Sequence, residues 1–399
     1  MFDWLRKYGR ITNSTEFIPQ IDGLRFFSII TVMIFHLNST LSSNWGLARI
    51  EDSYELLGGG ETMFDFGWWL RRLDLGVKVF FAISGFVLAL PLIKRYLARD
   101  PFISLSKYYR RRLLRIEPPF LVSLLVFSLV YIFHKAPALS DVIPTFLSTL
   151  GYSHVLIFGY PSPINPVTWS LETEAQFYLL FPYLFLFIFA YRNNAWLTMS
   201  FLLLMVATLY IRGLFFFENN EHFNLSVLFY ISHFCAGILF AWLYLRYKFL
   251  FWRKRFVWDI TTLIAVVGLF YFYKPQDRVL NNFMFNLSMM ALFFGVFKGF
   301  VTSRICSEPI VFVIGGMCYS LYLLHLGAYH LFTPFILPYL HSLGYSWSLF
   351  TMSLTVLPIT LFVGTLFYLA IERPTMDEKW FRKLKFYLRK KQKKQIESN

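Results

Sequence analysis

Apolar residues along this chain come in runs of about twenty, the length an α-helix needs to cross the apolar core of a bilayer. Ten such runs stand at 21–41, 75–93, 118–134, 168–190, 195–214, 227–245, 256–273, 282–300, 309–331 and 347–371. A further apolar piece, 141–159, is interrupted and reads as an interfacial or re-entrant segment outside the membrane. The pattern predicts an all-α, polytopic membrane protein with ten transmembrane helices. It divides the chain into a cytoplasmic N-terminal segment at 1–20, a membrane domain at 21–374 and a basic cytoplasmic tail at 375–399. The longest outer loop, 42–74, contains Gly58-Gly59-Gly60, which suggests a mobile turn or lid. It does not suggest a phosphate loop, because no strand precedes it and no GK[ST] follows.

Charge orients these runs. With ten spans and an inside N-terminus, 29 of the 38 Lys and Arg residues fall on the inner side, 8 fall outside, and Arg25 lies within the first run. Lys and Arg accumulate on the cytoplasmic side of membrane proteins. Both termini are therefore expected in the cytoplasm, in a multi-pass protein of the cytoplasmic (inner) membrane. An odd number of spans would put the tail KLKFYLRKKQKKQ outside. Composition agrees: of 399 residues, 57% are hydrophobic and 15% charged, against about 45–50% and 25% in soluble domains. The net charge of +15 would suit nucleic acid. The basic residues sit in blocks between oily runs, however, so no nucleic-acid partner is expected and the tail's neighbour is anionic membrane lipid. Cys235, Cys306 and Cys318 have no C-x-x-C spacing, and the eight histidines are scattered without H-E-x-x-H or a carboxylate triplet. Neither a disulfide framework nor a metal is expected. The polar start MFDWLRKYGRITNSTEFIPQ shows no removable signal peptide.

Several stretches carry polar groups that an oily helix does not need. In IDGLRFFSIITVMIFH, Arg25 and His36 are eleven positions apart. A helix turns about 100° and rises about 1.5 Å per residue, so the two project from nearly the same face, about 16 Å apart. Lipid penalises an arginine near mid-membrane by about 2.5–3.5 kcal/mol, which a shared inward polar face avoids. The alternative is a snorkelling arginine and a histidine bonded to a neighbouring helix. In SKYYRRRLLRIEPPF, Arg110, Arg111, Arg112 and Arg115 cluster ahead of the third run. Arg112 and Arg115, three apart, are helix neighbours and suit phosphate; the positive-inside signal with headgroup contacts is the plainer explanation. Pro118-Pro119 fits the start of that span. In PINPVTWSLETEAQFYLLFP, Trp169, Ser170, Glu172 and Glu174 stand at the outer entry of the fourth run, and Ser170, Glu174 and Tyr178 share a face. Glu174 lies deeper than interfacial polarity requires. Ser84-Gly85 fits close helix packing. Cys318, Tyr322 and His325 line one face of the ninth run, where a buried His–Tyr pair is the simpler reading. Glu372-Arg373 closes the tenth as a local ion pair.

Together these stretches resemble the acyltransferase-3 family of integral membrane acyltransferases, from about Ile21 to Pro374. IDGLR…H is similar to its first-helix motif, GVKVFFAISGF to its second-helix motif and RRRLLRI to its cytoplasmic R-x-x-R. WSLETEAQFY is similar to W-S-L-x-x-E-x-x-F-Y, which places the family glutamate on Glu174 and leaves Glu172 at a variable position. CYSLYLLH resembles S-Y-x-x-Y-L-x-H, with Cys318 where serine is usual, and IERP resembles the closing E-R-P. The resemblance implies transfer of an acyl group, commonly acetyl, from cytoplasmic acyl-CoA as co-substrate, without a tightly bound cofactor. The acceptor it implies is a hydroxyl of an envelope glycan, a lipopolysaccharide or an exported small molecule. Some members carry an appended SGNH-type domain; this chain ends soon after Pro374, so a stand-alone member is expected.

In this reading His36 is the general base, Glu174 orients His36 or the acceptor, and Arg25 positions donor or charge. Arg112, Arg115 and Arg111 hold the donor's phosphates. Ser84, Trp169, Ser170, Tyr322, His325, Glu372 and Arg373 are further pocket candidates. The chemistry is physically apt: a sugar hydroxyl is a poor nucleophile, and an imidazole is suited to remove its proton as it attacks a thioester. Nearby positive groups would stabilise the oxyanion that forms. A transporter or flippase of an acylated or glycosylated lipid is the competing class; it would share the spans and the polar face without needing a base.

Overall fold

The computed structural model describes residues 3–10, 17–58, 62–101, 103–189, 221–251, 253–273, 279–377 and 380. Among them the regular structure is helical, with no strand. α1 (Pro19–Asn44) opens on a proline, whose missing N–H is no loss at the first turn of a helix. Two short helices, α2 (Ile50–Leu56) and α3 (Phe66–Leu70), fill the loop before α4 (Leu75–Ala98) and α5 (Leu105–Lys135). After α6 (Leu139–Leu150), α7 (His154–Phe158) and α8 (Thr168–Ile188), the described chain resumes with a turn at Glu221–Asn224 and α9 (Val227–Arg246). α10 (Val257–Phe272), α11 (Val279–Lys298), α12 (Val301–Cys306), α13 (Pro309–Gly316), α14 (Cys318–Ile336) and α15 (Tyr345–Phe367) complete the bundle.

Among the described residues, seven helices are long and apolar enough to cross a membrane. Of the remaining expected spans, Val257–Phe272 is only 16 residues long, and Thr168–Ile188 carries Glu172, Glu174 and Gln176. The run 195–214 lies outside the described residues, as does most of the 375–399 tail. The segment 141–159 forms the 12-residue α6 and the 5-residue α7, both too short to cross. Gly58 takes a left-handed φ of 103° after α2; Gly59 and Gly60 lie outside the described residues.

Outward faces are oily: Leu125, Leu129 and Phe133 of α5, Leu263 and Ile264 of α10, and Leu354 and Phe362 of α15 are exposed. Surface of this kind suits lipid. The abundant phenylalanine also fills the interior, where Phe86, Phe120, Phe177, Phe181, Phe234 and Phe240 are each under 2% exposed. α4 and α9 meet backbone to backbone. A Cβ on Gly85 would lie 2.2 Å from the Phe234 carbonyl oxygen, and one on Gly237 1.8 Å from that of Ala82. Small residues let membrane helices approach this closely.

Three local features depart from the sequence expectation, and each bears on the site. α5 begins thirteen residues before 118 and runs straight through Pro118-Pro119, so the arginine cluster is helical and continuous with the span. The Tyr319 hydroxyl of α14 ties down this helix just before the prolines, donating to the Ile116 carbonyl at 3.0 Å. The ninth run is broken at Met317 into α13 and α14, because Gly315-Gly316 weakens the helix there. Finally, α15 ends in a π-turn, Tyr368–Glu372, a form found mostly as single-turn bulges at functional sites.

Candidate functional site

A cavity opens between α1, α4, α5, α8, α14 and the π-turn. Arg25, Ser84, Arg112 and Arg115 line it, and facing them are Ser170, Glu174, Tyr178, Cys318, Tyr322 and Glu372. The break at Met317 ends α13 beside the cavity and starts α14 there, so that Gly316, Cys318 and Tyr319 also face it.

The charges are handled unequally. Asp22, fully buried in the first turn of α1, accepts from Arg25 Nη1 at 2.5 Å through Oδ1 and from Arg10 Nε at 2.8 Å through Oδ2. One Glu174 oxygen, Oε1, accepts from both the Ser84 and the Tyr178 hydroxyls. Glu372 Oε2 accepts from the Ser320 backbone N–H at 3.0 Å and from the Ser320 hydroxyl. The π-turn swings this carboxylate onto the start of α14. By contrast, the Arg112 guanidinium lies 5.9 Å from the centres of the Tyr108 and Tyr178 rings. Among the described residues neither Arg112 nor Arg115 makes a hydrogen bond or ion pair to protein. Two guanidinium forks thus face the cavity with their donors unspent.

At the other end, the Tyr322 hydroxyl accepts from Ser170 Oγ at 2.7 Å and donates to the Val167 carbonyl at 3.1 Å. One turn further along α14 stands His325, fully buried. Its Nδ1 lies 2.8 Å from the Tyr322 carbonyl and 3.2 Å from that of Leu321. Carbonyls only accept, so Nδ1 carries the proton and Nε2 of the neutral ring carries the lone pair. His36 Nδ1 lies 2.8 Å from that Nε2 and must donate to it. The lone pair of His36 is thereby left on Nε2, which makes no hydrogen bond to protein among the described residues. His36 is partly exposed. The network assigns the tautomer: a histidine held as a proton acceptor toward open space.

The structure brings together Arg25, Ser84, Arg112, Arg115, Ser170, Glu174, Tyr322 and Glu372, with His36 and His325 paired just beyond. It departs from five expectations. Glu174 bonds Ser84 and Tyr178, not His36, whose orienting partner is His325. Glu372 and Arg373 do not pair with each other: Glu372 turns to Ser320, and Arg373 donates to the carbonyls of Lys7 at 2.7 Å and Gly9 at 3.4 Å. Glu172 is no exposed interfacial carboxylate: it is buried at 1% exposure and accepts from the Val155 N–H at 2.9 Å. Trp169 packs on Phe81 and Tyr230 instead of lining the cavity, and Arg111 is exposed outside it. Asp22 and Ser320 were not anticipated. Asp22 stands three before Arg25, a helix-neighbour spacing that signals the pair; Ser320 and Glu372, 52 positions apart, give no local signal. No group of three or more potential metal ligands occurs among the described residues.

An all-helical membrane domain with inward arginines, an oriented histidine and buried carboxylates has the character of a membrane acyltransferase. The family model described as an acyltransferase domain, acyltransferase-3, matches residues 18–369, and the chain belongs to that family. The O-acetyltransferase OatA of Staphylococcus aureus (strain NCTC 8325 / PS 47) is 26% identical over 343 residues, 78% of this chain and 50% of that protein. The peptidoglycan O-acetyltransferase OatA of Listeria monocytogenes serovar 1/2a is 26% identical over 180 residues, 42% of this chain and 24% of its own length. The putative peptidoglycan O-acetyltransferase YrhL of Bacillus subtilis is 28% identical over 184 residues, 43% of this chain and 24% of its own. The chain thus spans about half the length of the first of these relatives, and less of the other two. No solved structure matches it.

Proposed function

We propose that this O-acyltransferase takes an acetyl group from cytoplasmic acetyl-CoA and passes it to a hydroxyl of an envelope glycan, with His36 as general base. The observation that carries the proposal is the fixed tautomer of His36, which leaves Nε2 as the acceptor of a proton. Arg112 and Arg115 bind the donor's phosphates in this reading, since their forks lack protein partners and match phosphate geometry. The thioester arm then extends along the cavity toward Tyr322. From Cys318 to His325 the helix rises about 10 Å, a short step from cavity to base. The acceptor hydroxyl loses its proton to His36 Nε2 as its oxygen attacks the thioester carbonyl. A carbon–oxygen bond forms, the carbon–sulfur bond breaks, and the proton passes from the imidazolium to the leaving thiolate.

The relatives named as peptidoglycan O-acetyltransferases favour a glycan acceptor over a lipid or small molecule. The distribution of Lys and Arg supports ten spans with both termini in the cytoplasm, which sets the arginine end of the cavity on the donor's side. The test is transfer of labelled acetyl from acetyl-CoA to a glycan acceptor by purified protein in nanodiscs. His36→Ala should lower the rate by roughly 10²–10⁴-fold, the usual worth of a general base, with protein level unchanged. Retained transfer by that variant would sink the base assignment, and absence of labelled product from the native protein would favour a transporter.

A further inference from the structure

The N-terminal segment lies at the arginine end of the cavity. It forms a 3₁₀ turn at Asp3–Tyr8, and three contacts tie down its backbone and that of Gly9. Arg373 donates to the Lys7 and Gly9 carbonyls, and the Tyr368 hydroxyl donates to the Tyr8 carbonyl at 3.2 Å. Both anchors belong to the π-turn or the residue after it. The segment thereby lays Arg10 against the wall of the cavity: a Cβ on Gly316, a lining residue, would lie 3.7 Å from Arg10 Cβ. From there Arg10 takes the second oxygen of Asp22. The three side chains are nearly closed to solvent, Arg10 at 11%, Asp22 at 1% and Arg25 at 10% exposure.

The electrostatic consequence follows from counting. Asp22 alone beside Arg25 would cancel the charge that Arg25 presents to the cavity. A second arginine on the same carboxylate leaves the triad with one net positive charge in a place poor in water, where a charge is costly without a counter-ion. Burial first, and then the neighbouring Arg25, pull the Arg10 guanidinium down to about 10. Occupying Oδ2 also fixes the carboxylate so that Oδ1 holds Arg25 in one orientation.

We propose that Arg10 is a positioning residue for the donor: through Asp22 it orients Arg25, and it adds one positive charge to the arginine end of the cavity for the phosphates of acyl-CoA. Arg373 acts one step further back, by holding the strap that delivers Arg10. The inference rests on the donor-phosphate reading above, and its test separates the two. Full-length protein in nanodiscs is titrated with coenzyme A and, separately, with acetyl-pantetheine, which lacks the nucleotide phosphates. Arg10→Gln should weaken coenzyme A binding about tenfold and leave acetyl-pantetheine binding unchanged. Arg10→Lys, which keeps the charge, should restore most of the loss, and Arg373→Gln should shift affinity in the same direction by less.

Arg112→Gln serves as the reference. If it weakens coenzyme A binding and Arg10→Gln does not, the strap proposal fails while the donor site stands. If neither does, the donor site itself fails. If Arg10→Gln weakens both ligands equally, Arg10 only supports the fold, and the proposal is overturned.

Discussion

His325 holds its proton on Nδ1 because two backbone carbonyls one turn back claim it, and this choice propagates to His36. Replacing His325 by alanine removes the acceptor that orients the His36 ring. We expect turnover to fall by roughly 10²-fold, a part of the general-base contribution, with donor KM unchanged. Steady-state kinetics in nanodiscs check this, and a raised KM at normal turnover would speak against it. Glu174 is held differently, by two hydroxyl donors on one oxygen. Tyr178→Phe removes one of them and should lower stability by roughly 1–3 kcal/mol, read as a lower melting midpoint in detergent. Removing Ser84 as well should cost more than the sum of the two single changes, since the last donor is then gone.

At the scale of elements, hydropathy made most of the helices legible. α1, α4, α8, α9, α10, α11 and α15 begin within three residues of the apolar runs that announced them. Helical spacing likewise puts Cys318 and Tyr322 on one face, and both line the cavity. What hydropathy could not reveal is where a helix breaks or bulges without a change in oiliness. The stop at Met317 and the π-turn at Tyr368–Glu372 are settled by partners distant in sequence, as Ser320 is for Glu372. The histidine pair, 289 positions apart, is illegible for the same reason. The α4–α9 contact offers a direct test of packing. Gly237→Leu must drive side-chain atoms into the Ala82 backbone, where only relaxation of both helices could make room. Overpacking of this kind typically costs about 1–3 kcal/mol. Reduced folded yield on size-exclusion chromatography is expected.

At the scale of the whole molecule, the oily outer faces and the inward polar cavity define a protein whose two ends meet different solvents. The basic ends of α4 and α5, with Lys94, Arg95, Arg99 and Lys107, should lie in the cytoplasm, and the start of α6 outside. Cysteines introduced at Arg99 and Ser140, both exposed, test this with a membrane-impermeant maleimide on intact cells. Ser140→Cys should react and Arg99→Cys should not until the cells are opened; the reverse pattern would invert the topology. The native cysteines interfere little, because Cys235 and Cys306 are buried and Cys318 is only partly exposed.

A π-turn is an α-helix that has gained one residue. Deleting Ala370 from Tyr368–Glu372 would restore plain α-geometry and turn everything after it by about 100°. The Glu372 carboxylate would leave Ser320, and Arg373 would swing away from the carbonyls of Lys7 and Gly9. A single codon thus sets the phase of both the buried carboxylate and the anchor of the N-terminal strap, so natural variation in length should be absent from this turn.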